Sequence, residues 1–463
     1  MLTYQDLLKV PQNDLDRANF TRKVINEYKS GNGYRIAKIA DEYDRCQNTT
    51  ITNYQKTVRT LTGRMIPDLY SANHKSASNF YNIFLTQLAS YLLGNGAEWN
   101  NKDTAEKLGK DFDNRLYDAG KAALRDGVSY GFWNLDRLLV FSALEFAPIF
   151  DEEDGAMKAG VRFWQVDTSK PLRATLYEMD GYTDFLWSKN TVPEAPWQKI
   201  EDEAYMRPKR TYILRYRESE ADGTEIIDRE NYPGFPIVPL WGNPHKQSEL
   251  VGLREKIDAY DLILNGFEND LDNAQIFWII RGAGGMDDID LAQFLDRIRL
   301  TGAAAPADGQ EVEAREINIP YEARERLLDR LEKQLYKDAM ILNPEDIASG
   351  AATATQIRAA YEPQNVKADQ FEYCVIDFLQ SILQLAGIED EPTFSRSTIV
   401  NRQEEIQTLV QAASYLSEEY ITRKILNILG DGDQADDIIK QLDADAEERL
   451  TVEDEDVGPE DQE

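Results

Sequence analysis

Gly127-Val128-Ser129-Tyr130-Gly131 carries the GxSxG spacing of a nucleophile elbow. A working elbow needs a strand before the serine and a helix after it, so that a sharp turn exposes the hydroxyl. Here helix-forming AGKAALRD comes first and strand-like residues follow. A triad would also need a histidine later in the chain, and only His245 qualifies. The motif predicts a helix-to-strand turn, with hydrolysis at Ser129 as the alternative. Arg281-Gly282-Ala283-Gly284-Gly285 lacks both the Lys-Ser/Thr of a P-loop and the third spaced glycine of a dinucleotide fingerprint, so it predicts a loop. Asp431-Gly432-Asp433 with Asp436 and Asp437 could offer oxygens to calcium but lacks the EF-hand register; an acidic inter-helix turn is expected. Ile406–Leu416 and Ser417–Leu429 have helix-turn-helix spacing. The second opens with two acids and carries only Arg423 and Lys424, so a packed hairpin is expected rather than a DNA reader. Two cysteines (Cys46, Cys374) and two histidines (His74, His245) leave little material for a metal or acid/base site, and no cofactor is expected.

One segment stands out for its composition. Asn343 to Thr353, which includes Glu345, Asp346, Ser349, Gly350, Ala351 and Ala352, joins two long helical patterns with small and polar residues. It is slightly long for a helix connection and rich in residues that can hinge. The helix before that pair has Leu253, Ile257, Tyr260, Leu264, Phe267 and Leu271 at spacings of 4, 3, 4, 3 and 4, a seam that packs lengthwise on another helix. Leu328, Leu331 and Leu335 continue an apolar stripe in the next helix. After the loop, Phe371, Cys374, Val375, Phe378, Ile382 and Leu385 line a helix from about 355 to 385, which Pro363 should kink or interrupt. Further upstream, residues 126 to about 240 read as short strands dense in aromatic side chains, between turns such as DEEDG and EADGT. The fold class is therefore α+β, mainly helical.

Composition restricts the functions open to such a chain. Among 463 residues, 83 Asp and Glu stand against 51 Lys and Arg, a net charge of −32. That excludes a protein coating DNA or RNA by phosphate neutralisation, and disfavours an anionic membrane surface. Hydrophobic residues at 42% are enough for a sizeable core. The opening MLTYQDLLKVPQND lacks the basic-then-apolar pattern of a secretory signal. Residues 451–463 hold seven acids and no base and read as a disordered tail. From composition and pattern alone the chain is a large acidic cytosolic assembly protein.

The order of several short stretches resembles the tailed-bacteriophage portal proteins, in the SPP-type siphophage branch. Tyr43 with Asn48-Thr49-Thr50-Ile51 resembles the family's early segment, and Asn73 to Gly94 resembles the helix that follows it. Gly127 and Tyr130 match its turn into a sheet. Ala147-Pro148-Ile149-Phe150-Asp151 with Gly160-Val161-Arg162-Phe163 matches its strands. Gly234 to Pro239, Ser248-Glu249-Leu250, Ile257 to Tyr260, Ser349-Gly350 before Ala354-Thr355-Gln356-Ile357, and Leu416-Ser417 continue the series. Each motif alone is weak, but together they run in family order from about 40 to 430. Asp44-Arg45-Cys46 departs from the usual Gly-containing step, and 275–320 carries the least family signature.

The resemblance implies a ring-forming portal fold with wing, stem, clip and crown. By position, 1–250 is the wing, 251–274 and 321–342 the stem helices, 275–320 the clip and 343–353 the tunnel loop. The kinked tunnel helix is 354–387, with Thr355, Arg358, Pro363 and Lys367; the crown is 388–450. The clip, with Arg281, Gly282, Gly284, Gly285, Arg297 and Arg299, would meet the terminase large subunit and later the head–tail adaptor. The resemblance further implies twelve copies at one capsid vertex, double-stranded DNA in the channel, contact with major capsid and scaffolding proteins, and no bond chemistry. The place implied is the virion, and the host cytoplasm during assembly. An acidic scaffold that makes no ring and contacts no DNA is the remaining alternative.

Overall fold

Thr3 and Asp6 start the first helix through a reciprocal cap: the Asp6 amide donates to the Thr3 hydroxyl and the Thr3 amide to the Asp6 carboxylate. The computed structural model describes residues 2–11, 13–59, 63–68, 72–188, 193–219, 223–272, 276–281, 293–294, 311–316, 321–346, 354–396, 406, 409–412, 415–429, 435 and 438–442. Helices α1 (Tyr4–Lys9), α2 (Asp14–Ser30), α3 (Asn32–Asp44) and α4 (Thr49–Thr52) lead to a small hairpin, β1 (Thr57–Arg59) with β2 (Met65–Pro67). Next comes α5 (Phe80–Leu93), nine of whose fourteen residues are buried, so it is enclosed on nearly every side. After β3 (Glu98–Trp99) and α6 (Lys102–Leu108) runs the amphipathic α7 (Phe112–Asp126).

The strands begin at Gly127, whose φ of 92° ends α7 in a left-handed cap. A Cβ there would lie 2.8 Å from the backbone of Gln247, so the turn needs glycine twice over. β4 (Val128–Trp133) pairs with β5 (Leu138–Ser142) on one side and with β14 (Ile237–Trp241) on the other. Six further strands form an antiparallel sheet. It contains β6 (Phe146–Phe150), β7 (Met157–Trp164), β8 (Leu172–Glu178), β9 (Gly181–Trp187), β10 (Gln198–Glu201) and β11 (Ala204–Met206), in the order β10-β11-β9-β8-β7-β6. Phe20, Val24 and Ile25 of α2 bury against Ile149, Val161, Leu176 and Phe185 on one face of it. β12 (Ile213–Ser219) and β13 (Gly223–Glu230) make a separate hairpin.

Helix α8 (Arg254–Asp272) and the helix Tyr321–Ala339 form an antiparallel hairpin. Lys256 pairs with Asp338 at one end and Arg324 with Asp270, at 2.6 Å, at the other. Between them in the chain, β15 (Ile276–Arg281) pairs antiparallel with β16 (Glu311–Glu316), and Arg281 stands opposite Glu311. The long helix Ala354–Ala386 runs through Pro363 without interruption. Proline there donates no amide hydrogen to Ala359, four residues earlier. Phe371 and Phe378 press into places where Gly120 and Gly131 leave room; a Cβ on Gly131 would meet the Phe378 ring at 2.4 Å.

The chain divides into two compact units: Met1–Asn343 with Pro363–Arg396, and Pro344–Glu362 with Ser397–Glu463. The boundary inside the long helix falls at Pro363. In the second unit Glu418–Leu429 is helical, with the Tyr420 amide donating to the Ser417 hydroxyl at 3.4 Å. Strand and helix content agree with an α+β chain. No helix of the described residues is long and apolar enough to cross a membrane. The acidic tail, and Asp431, Asp433, Asp436 and Asp437, lie outside the described residues.

Candidate functional site

The hairpin of α8 and Tyr321–Ala339 carries the residues that the 3.5-residue seam singles out. Leu253, Ile257 and Leu335 are buried. Tyr260 meets Phe80 edge-on at 5.0 Å, and Tyr336 meets Phe84 at 5.1 Å, so α5 closes this end of the pair. Leu264, Leu328 and Leu331 are half-buried, Phe267 lies under the Arg324 guanidinium at 5.9 Å, and Leu271 is 57% exposed. Burial therefore decreases along the hairpin away from α5.

A second face of α8 is not legible in the apolar pattern. The extended segment 72–79 lies along it and is held by polar side chains one turn apart. Asp261 accepts from the Ser78 amide at 3.0 Å and from Asn48 at 2.5 Å. Asn265 accepts from the Ser76 amide at 2.6 Å and donates to the Ser76 carbonyl at 2.8 Å. Asn269 accepts from the His74 amide at 2.7 Å. Four residues of helix rise about 6 Å and two residues of extended chain about 6.6 Å, so the two repeats match over this length. Burial pushes the Asp261 carboxyl above its usual range, opposed by hydrogen bonds from Asn48 and Ser78. The signal is present in the sequence as Asp261, Asn265 and Asn269 at four-residue steps.

The two ends of the segment 344–362 are fastened within the first unit. Ile341, Leu342 and Asn343 are buried. The Leu342 amide donates to Gln364 at 3.0 Å, and Gln87 donates to the Leu342 carbonyl at 3.1 Å. Lys367, three residues on, donates to the Ala339 carbonyl at 2.8 Å and pairs with Glu249 at 2.6 Å. Asn243 holds Glu249 from the other side at 2.8 Å. On the resemblance given above, Lys367, Arg358, Arg254 and Lys256 are open to two roles, as bases that guide DNA or as solvated or paired groups. Here Lys367 and Lys256 are paired inside the chain, and Arg254 has Asp258 at 3.7 Å. Arg358 is exposed on the long helix, and Thr355 lies within its first turn. Glu345 and Asp346 belong to a short 3-10 turn, Pro344–Asp346. Ser349, Gly350, Ala351, Ala352 and Thr353 lie outside the described residues, as do Gly282, Gly284, Gly285, Arg297 and Arg299.

Ser129 is fully buried in β4 and donates to the Ala119 carbonyl at 2.8 Å, while His245 is exposed. A hydroxyl so placed supports a turn rather than a nucleophile. Among the described residues no His, Cys, Asp and Glu are grouped as metal ligands would be. The arrangement is mechanical: a braced helical hairpin, and a helix whose proline marks the edge of a compact unit.

The chain matches the phage portal protein family, SPP1 Gp6-like, over residues 35–448, and it belongs to that family. A portal protein of Clostridium phage phiCD119 is 22% identical over 390 residues, covering 77% of this chain and 82% of that protein. Two solved structures are distant likenesses. The virion of a native gene transfer agent particle has 13% identity and a TM-score of 0.42, covering 76% of this chain and 90% of that one. The neck of an empty particle of the same kind has 12% identity, the same TM-score and the same coverage.

Proposed function

We propose that twelve copies of this chain close into a ring at one capsid vertex, forming the channel through which double-stranded DNA enters the prohead, is retained and is ejected. On this reading α8 and Tyr321–Ala339 are the stem, 275–320 the clip, 343–353 the tunnel loop and 354–387 the tunnel helix. Residues 1–250 are then the wing and 388–450 the crown. The clip would dock the terminase large subunit during packaging and the head–tail adaptor afterwards, and capsid and scaffolding proteins would surround the ring. The chemistry of cleavage and ATP hydrolysis would lie with those partners.

The observation that carries the ring is the third face of α8. One face packs on Tyr321–Ala339 and a second clasps residues 72–79. The third, Ala259, Leu262, Ile263 and Gly266, meets within the chain the single-turn helix α4, whose Ile51 faces the same hollow as Leu262 and Gly266, and Leu262 is still 41% exposed. That hollow, of 170 Å³, is also lined by Tyr54 and Lys56. An apolar stripe of this kind on a braced hairpin suits a neighbouring copy of the same hairpin. Native mass measurement and negative-stain microscopy of the purified chain test the reading. A closed ring with a central channel supports it; a monomer at every concentration sinks it.

A further inference from the structure

The helix Tyr321–Ala339 has a face that the hairpin does not use. On a wheel advancing about 100° per residue, Leu328 and Leu335 point to α8, and Arg326, Arg330, Lys333 and Lys337 fall together on the opposite side. Their spacings are 4, 3 and 4, and all four are exposed. Among the described residues only Arg326 has an ion-pair partner, Glu322 at 3.8 Å on an exposed surface, where such a pair contributes little. Of the five acids of the helix, Glu325, Asp329 and Glu332 sit about a quarter-turn or more away on one flank, Asp338 on the other side pairs with Lys256, and Glu322 lies one turn before Arg326 at the edge of the stripe. In a chain of charge −32, this is a pure cationic stripe over about 16 Å of helix.

We infer that this stripe faces the lumen and is a contact for the phosphate backbone of duplex DNA. The inference rests on the portal reading above and names the surface that would meet the DNA. The stripe has no apolar or aromatic residue, so it lacks the anchors of a protein interface. In a closed ring the two neighbours approach from nearly opposite sides. The acidic flank and the cationic back, a quarter-turn apart, cannot then meet across one subunit contact. A surface turned away from α8 in a two-helix wall faces the lumen or the exterior. Evenly spaced cations fit a linear polyanion that carries one charge per about 1.7 Å of axis. Repeated around a symmetric ring, they offer many equivalent weak contacts. A duplex can exchange these as it advances, so attraction need not fix its position.

The test uses assembled rings of the full chain. Affinity for a labelled blunt linear duplex is measured against KCl concentration, for the wild type and for the quadruple variant R326Q/R330Q/K333Q/K337Q. The variant ring should keep its mass, bind about tenfold or more weakly at low salt, and show a salt slope shallower by about 0.9 for each phosphate no longer neutralised. Linearised plasmid should compete and relaxed closed-circular plasmid should not, because a closed circle cannot thread a closed ring. An unchanged slope in intact variant rings overturns the inference. Equal competition by the circle places the contact outside the lumen and also overturns it. If the quadruple variant or R330Q alone fails to assemble, the stripe is a subunit contact and the inference fails. A wild-type chain that never forms rings fails the portal reading itself, a result distinct from all of these.

Discussion

Single residues here mostly serve to hold backbone in place, and Asp151 shows how. It sits in the turn after β6, almost fully buried, and is joined by Lys158, by the Glu153 amide at 2.9 Å and by Gln5 of α1. The Lys158 ammonium first, then the Glu153 amide and Gln5, hold its carboxyl down at about 2. A carboxyl lowered in the folded state adds stability that is fully present above its unfolded value near 3.8 and is lost as pH falls through about 2. The Asp151→Asn variant should therefore unfold at lower urea than wild type above pH 4, with the gap closing toward pH 2. Urea midpoints across that range measure it, and a gap that stays constant would refute the role given to the charge. Asp126 runs the other way. Burial raises its carboxyl against the pull of Arg125, which bridges it to Asp41 at 2.8 Å.

Among the elements, those built on apolar repetition are legible in the sequence and those built on polar pairing are not. The seam from Leu253 to Leu271 predicts a packed helix because burial every three to four residues leaves a periodic trace. Likewise β5 to β8 are visible as aromatic runs between turns. The clasp on residues 72–79 leaves no such trace, since the segment is extended without pairing to another strand. Its partners are amides that composition reads as solvated. Asn265 is the middle rung. Asn265→Leu would leave the Ser76 amide and carbonyl without their partner, and a buried unsatisfied group costs about 1–3 kcal/mol. Destabilisation in that range is expected, together with faster hydrogen exchange at Ser76 and His74. Exchange unchanged at both amides would show that the segment is held by other contacts. Pro363 reads in the sequence as a kink or break, yet the helix runs through it, and the Gln87–Leu342–Gln364 clasp beside it has no sequence trace because glutamine carries no positional signal.

At the scale of the whole molecule, net charge and assembly bear on each other. Residues 431–463 hold 15 acids and two bases, so much of the −32 lies near one end of the chain, while the hairpin keeps a cationic back. An acidic protein can surround DNA if its bases are gathered on one surface and its remaining surface repels. The assembly itself makes a prediction at Gly266. Glycine inside a helix costs about 0.5–1 kcal/mol relative to alanine, and among the described residues nothing lies within 4 Å of where its Cβ would be. Space that the chain leaves open, at that cost in helix stability, is what a close neighbour would use. Gly266→Ala should therefore act with opposite signs in the two states. In the dissociated chain it should raise stability by about 0.5–1 kcal/mol, through lower unfolded-state entropy and better helix propensity. In the ring it should weaken association, because a methyl group stands where the next subunit approaches. Unfolding of the dissociated chain and dissociation of the ring, followed by light scattering on dilution, measure the two effects separately. Rings at least as stable as wild type would remove the α8 face from the subunit contact, whatever the result for the monomer.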